Sequence, residues 1–265
     1  MTATLSGLAA CALYLIATFW AARQIRQQST PHRWSFLGLG AIALLLHALA
    51  LKLLMKSDSG IYLGLFPVLS LITASGVGTV MLANLYRRLE WISLLVFPLS
   101  ILTLLAALFI RTGYRPHVPE YGVGLHVIFS ILAFAVLSIA TFQSLLVLVQ
   151  HRQLKQGNIK GLLSVLPPIQ IMEAMLFELL WAGVTLLIVA IGIGFVVLDD
   201  LFAQQVAHKT ILTLLSAVIF IGLLAGRYFL GWRGVTAVRL TMAGFALLML
   251  GYMGSQLVLE VILKR

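Results

Sequence analysis

What this sequence has least of is charge. Only 10% of its 265 residues are Asp, Glu, Lys or Arg, against about a quarter in an ordinary soluble domain. With 61% hydrophobic residues and a mean hydropathy of +1.06, it cannot cover a water-facing surface, which makes it an integral membrane protein. Cysteine is almost missing too. The single Cys11 lies inside the first apolar run, which excludes a disulfide framework, a cysteine-rich zinc site and a CxxCH haem-attachment motif. No HExxH, GxSxG, GxxxxGK or paired-cysteine motif occurs, so no catalytic constellation is legible. Gly192-Ile193-Gly194 permits close helix approach and is not a phosphate loop, because no basic or hydroxyl residue follows it. No span gathers several acidic residues as a proton path would, and no inverted repeat points to a transporter, the least supported class. The net charge of +10 sits singly or in pairs between the apolar runs, a mark of membrane topology rather than of a nucleic-acid partner.

What is present is long apolar runs. A helix needs about 20 apolar residues to cross the hydrocarbon core, and eight segments qualify, at approximately 3–22, 34–55, 61–85, 91–110, 122–150, 177–198, 208–228 and 238–262. Backbone groups in lipid must bond within their own segment, and no run alternates like a barrel strand, so the fold class is all-α: one polytopic domain, residues 1–265, of eight transmembrane helices in one bundle. The first run has no basic residue before it and several after it, which predicts a retained span rather than a removed signal peptide. Eleven Lys and Arg fall in the connections after spans 1, 3, 5 and 7, and seven on the opposite side. The positive-inside rule then places those connections in the cytoplasm and both termini on the outer side of the membrane. Trp20, Trp34, Trp91, Tyr62, Tyr121 and Trp232 fall near span ends, where amphipathic rings meet headgroups. Leu162 to Glu173, with Pro167-Pro168, and Leu201 to Ala207 are expected to lie along the two interfaces.

Ionisable residues at membrane depth are costly and are the natural functional candidates. His126 falls about one turn inside span 5, and His208 opens span 7 at the same predicted side. Two imidazoles converging at one level can supply the axial ligands of a haem iron, or part of a zinc or copper site; otherwise each bonds backbone or headgroup. Sandwiching one metal requires their nitrogens about 4 Å apart. His47, deeper in span 2, can ligate a cofactor, relay protons or bond a neighbouring helix. Arg111, Arg115 and Lys209 lie on the same predicted side as His126 and His208, where they can pair with haem propionates or anchor to headgroups. His32, His117 and His151 fall in connections, where solvent or headgroups meet them. Asp199-Asp200 reads as a cap for the segment that follows.

Several pieces then fall into a known order: Asp58-Ser59-Gly60, Gly124-Leu125-His126-Val127, Leu166-Pro167-Pro168 ahead of Phe177-Glu178, His208-Lys209-Thr210, Arg227, Gly231-Trp232-Arg233-Gly234, Gly244-Phe245 and Gly251-Tyr252-Met253-Gly254-Ser255. On these the chain resembles the cytochrome c assembly protein family over most of its length, in the branch of HemX-like and YpjD-like membrane proteins. The resemblance implies haem handling on the outer membrane face, with cytochrome c maturation proteins or another membrane complex as partners beside the lipids. CcsA and CcmC in that family use a tryptophan-rich loop flanked by histidines. Here His126 matches the first of those histidines, and residues 199–209 occupy the loop position without any tryptophan. Ala225 and Leu263 stand near where two further family histidines would fall, so His47 lacks its expected partner and His208 becomes the candidate second ligand. The alternative is a cofactor-free regulator or scaffold, as HemX-like proteins are in tetrapyrrole synthesis.

Overall fold

The computed structural model describes residues 2–27, 33–57, 60–86, 90–110, 122–156, 166–197 and 207–254. Its helices are α1 (Ala3–Arg26), α2 (Arg33–Met55), α3 (Leu65–Tyr86), α4 (Glu90–Phe109), α5 (Val123–Lys155), α6 (Ile169–Val197), α7 (Ala207–Leu230) and α8 (Val235–Met249), the last running into a π-helical segment, Leu250–Gly254. Eight of the described helical stretches are long and apolar enough to cross a membrane. Lys56–Ser57 (β1) and Gly60–Ile61 (β2) pair antiparallel in a short hairpin between α2 and α3, so α3 starts four residues later than the apolar run suggests. The helices fall into two compact units, α1–α4 and α5–α8.

Within the first unit, α1 packs against α2 and α4, and α3 against the same two neighbours, so chain order closes into a ring. Leu45, Leu82 and Leu102 point away from the packing, as lipid-facing residues of a membrane bundle do. With lipid outside and apolar side chains inside, burial alone cannot specify how such helices associate; close packing and hydrogen bonds must. Here a buried polar string supplies them. Tyr14 of α1, His47 of α2 and Ser70 of α3 are linked by contacts of 3.4 Å (Tyr14 Oη to His47 Nδ1) and 2.8 Å (His47 Nε2 to Ser70 Oγ). Thr73 of α3 and Thr103 of α4 continue it at 2.7 Å. Phe97 of α4 stacks on Phe36 and makes a tilted ring contact with Tyr14. At one end, Arg33 Nε donates to the Asn84 carbonyl at 3.1 Å and its guanidinium also reaches that of Leu85, satisfying carbonyls that the end of α3 leaves unpaired.

The second unit closes the same way: α5 and α7 each pack against α6 and α8. Its longest seam is the antiparallel pair α5–α6. Gly122 meets Val197, Leu137 fits against Gly183, Gln143 Nε2 donates to the Met172 carbonyl at 2.9 Å, and Gln150 Nε2 to that of Pro167 at 2.8 Å. The expected interfacial segment therefore belongs in part to α6, which starts at Ile169 and not Phe177. Pro167-Pro168 delivers the chain to the first turn, where a missing N–H costs nothing, and Met172, Met175 and Leu176 are buried rather than laid on a surface. Between α7 and α8, Gly231 (φ 65°) and Gly234 (φ 59°) take left-handed conformations that other residues rarely adopt. They turn Trp232 back so that its amide bonds the Gly226 carbonyl at 3.1 Å and its indole lies on Gly226, where any side chain would collide. Arg227 sits 4.7 Å above the Phe177 ring. Arg227 and the Gly231-Trp232-Arg233-Gly234 turn thus form a packing motif.

Candidate functional site

The α5–α6 seam positions His126. On α6, Gly183, Leu187, Ala190 and Gly194 recur at helical spacing and are all buried, forming a face of mostly small residues along which α5 approaches closely. His126, in the first turns of α5, uses that proximity. Its Nδ1 lies 2.8 Å from the main-chain carbonyl oxygen of Ala190. A carbonyl only accepts, so Nδ1 carries the hydrogen, and in the neutral ring the lone pair then belongs to Nε2. A ring bonded to backbone at one nitrogen with its basic nitrogen at the far side is how metal-binding histidines are oriented in general. The residue is half-buried at the end of its helix.

His208 belongs to the same unit. It lies in the first turn of α7, and its side chain is exposed. Because α6 and α8 lie between α5 and α7 in the ring, the two histidines come from opposite helices. Lys209 follows, half-buried, with its main chain facing α8's π-helical segment: a Cβ on Gly251 would stand 3.5 Å from the Lys209 carbonyl and 3.3 Å from Leu212. π-helical turns recur at functional sites. The next residue, Tyr252, reaches across to Phe134 of α5 at 6.1 Å, and Phe245 lies 5.2 Å from the same ring. This aromatic group lies two turns beyond His126 along α5, and in the sequence only Gly244-Phe245 and Gly251-Tyr252 mark it. Arg111, Arg115 and residues 198–206, with Asp199-Asp200, lie outside the described residues.

His47 is in the other unit and is fully buried. Both of its nitrogens are engaged, Nε2 by Ser70 and Nδ1 by Tyr14. The Tyr14 hydroxyl has no other hydrogen-bond partner among the described residues. The arrangement that satisfies every group has the Tyr14 hydroxyl donating to Nδ1 and Nε2–H donating to Ser70 Oγ. In that arrangement neither nitrogen of His47 has a lone pair left for a metal, and the ring ties three helices together.

Among the described residues, no three His, Cys, Asp or Glu side chains gather as a metal site would need. An axial haem ligand needs only one or two protein atoms, whereas a zinc or copper cage needs three or four.

Comparison with known proteins adds an independent line. The profile of the family described as Cytochrome C assembly protein matches residues 34–263. The inner membrane protein YpjD of Escherichia coli K12 is 32% identical over 225 residues, covering 83% of this chain and 85% of that one, and the same protein of Escherichia coli O157:H7 matches equally. A protein of Azospirillum brasilense named as an uncharacterized 28.8 kDa protein in the nifR3-like 5′ region is 33% identical over 151 residues, 56% of each chain. No solved structure matches. Eight apolar helices and a profile match over most of the chain lead to one conclusion: this polytopic membrane protein belongs to the cytochrome c assembly protein family, and it is similar to YpjD.

Proposed function

We propose that the protein handles haem in the inner membrane as an accessory of cytochrome c assembly, with His126 as its protein ligand. The observation that carries this reading is the 2.8 Å bond from His126 Nδ1–H to the Ala190 carbonyl, which leaves Nε2 as the basic nitrogen. Haem, when bound, supplies an iron whose redox and ligand chemistry depends on its axial donors and on the burial around them. The chain's own part is to hold and orient. α6 fixes the His126 ring, and Phe134, Phe245 and Tyr252 give apolar aromatic contact further along α5 and α8. His208, at the exposed start of α7, is the second ligand in this reading. Lys209, with Arg111 and Arg115, pairs with the propionate carboxylates. The inner-membrane location follows that of the inner membrane protein YpjD, and the distribution of Lys and Arg supports termini on the periplasmic side.

The test is a spectrum. Protein purified with or loaded with haemin is expected to show a Soret band that His126→Ala abolishes and His208→Ala shifts. Colourless protein that takes up no haemin would refute the reading and leave the cofactor-free regulator or scaffold.

A further inference from the structure

The Ala190 carbonyl that holds His126 is inside a helix, where such oxygens are ordinarily taken by the amide four residues on and flanked by that residue's side chain. This chain shows how close the flanking atoms come. Thr18 Oγ1 donates to the Tyr14 carbonyl at 2.7 Å, Ser100 Oγ to that of Val96 at 2.8 Å, and Thr141 Oγ1 to that of Leu137 at 2.8 Å, each across four residues. The first side-chain atoms at position i+4 thus stand beside carbonyl i. For Ala190 that position is Gly194, which has none and lies on the buried face toward α5.

We propose that Gly194 is a positioning residue for His126. By carrying no side chain next to the Ala190 oxygen, it reserves that acceptor for the imidazole Nδ1–H and so fixes Nε2 as the nitrogen presented to a ligand. The inference rests on the haem reading for its purpose, while the geometry it describes is a property of the protein without haem. Its neighbour Gly192 makes the contrast: it is exposed, and a Cβ there would meet nothing within 4 Å, so the two glycines of Gly192-Ile193-Gly194 have different work.

The sharpest variant is Gly194→Ser, which adds two heavy atoms and places a competing hydroxyl donor where Thr141 has one. Gly194→Ala adds bulk without a donor. Gly183→Ala is the control for a merely structural effect: it lies on the same α6 face, where a Cβ would come 2.7 Å from Leu137, so it strains the seam far from His126. Two readouts are needed. In haem-free protein, nitrogen NMR of labelled histidine reports which His126 nitrogen bears the hydrogen. In loaded protein, haemin titration reports affinity. The wild type is expected to hold the Nδ1–H form. Gly194→Ser is expected to lose it and to bind haemin about 10- to 100-fold more weakly, the usual effect of removing a ligand's orienting partner. Gly194→Ala should show the smaller effect of the two, and Gly183→Ala should lower stability with the Nδ1–H form intact. If Gly194→Ser leaves the His126 nitrogen pattern and the affinity as in wild type, the proposal is wrong. If the nitrogen pattern changes as expected but no variant or wild type binds haemin, Gly194 still positions His126 and the haem reading is what fails.

Discussion

Replacing His47 by leucine tests the account of the first unit and separates a helix tie from a ligand. The substitution keeps a large apolar side chain in the core and removes both ring nitrogens. Ser70 is lightly affected, since a helical serine can turn its hydroxyl back to a carbonyl of its own helix. The Tyr14 hydroxyl loses its only described partner while fully buried, a cost of about 1–3 kcal/mol. The edge contact between the Tyr14 and His47 rings, centroids 5.9 Å apart, goes as well, for about 0.5–1.5 kcal/mol. The sum is about 1.5–4.5 kcal/mol, and at about 1.4 kcal/mol per factor of ten the opening equilibrium of the unit rises about 12- to 1,600-fold. The protein contains its own reporter. Cys11 is the sole cysteine, buried on α1 less than one turn from Tyr14, and reacts with N-ethylmaleimide only when the unit opens. His47→Leu should accelerate that reaction by the stated factor. Adding Tyr14→Phe should slow it again by about fivefold or more, because the stranded hydroxyl is then gone. The reasoning is refuted if Tyr14→Phe makes the His47→Leu protein react faster still, or if His47→Leu leaves Cys11 as protected as before. The haem spectrum gives a second check: its loss in His47→Leu protein that remains folded would make His47 a ligand after all.

Two further outcomes follow from the second unit. Gln143 is buried and its Oε1 has no partner among the described residues, while the Met172 carbonyl it contacts lies within α6 and keeps its helical bond. Gln143→Leu should therefore be neutral or stabilising in a thermal melt, against the ordinary expectation for a lost hydrogen bond; a loss above about 2 kcal/mol would contradict this. Gly226→Ala drives a methyl into the Trp232 indole and should cost about 1–3 kcal/mol by displacing the turn between α7 and α8, which the same melt would register as a lowered midpoint.

The spans were legible because hydropathy and length are local properties, and the helices follow the apolar runs closely wherever no other signal competes. The start of α6 was not, because Pro167-Pro168 reads equally as a break along the interface and as the first turn of a helix; burial of Met172 and Met175 decides between them, and burial is a tertiary fact. His126 stood out as an ionisable residue at membrane depth. Its partner did not, since a main-chain oxygen has no letter in a sequence. Gly194 was visible as half of a small-residue pair, yet which glycine faced α5 depended on helix rotation. His47 drew attention for the same reason as His126, and only packing distinguishes them: one ring has a single bond to backbone, the other is enclosed between Tyr14 and Ser70. The burial of Gln143 and Gln150 is not legible in the sequence, because polar residues two turns apart on a long helix look like an exposed stripe until a neighbour covers them.

The most direct measurement of the central claim is chemical rescue of His126→Gly. Purified in haemin-free form, this variant is expected to bind haemin poorly and to show no Soret band, and added free imidazole should restore the band toward its wild-type position by occupying the place of the missing ring. A His126→Gly protein that binds haemin with wild-type affinity and spectrum before any imidazole is added would contradict the account.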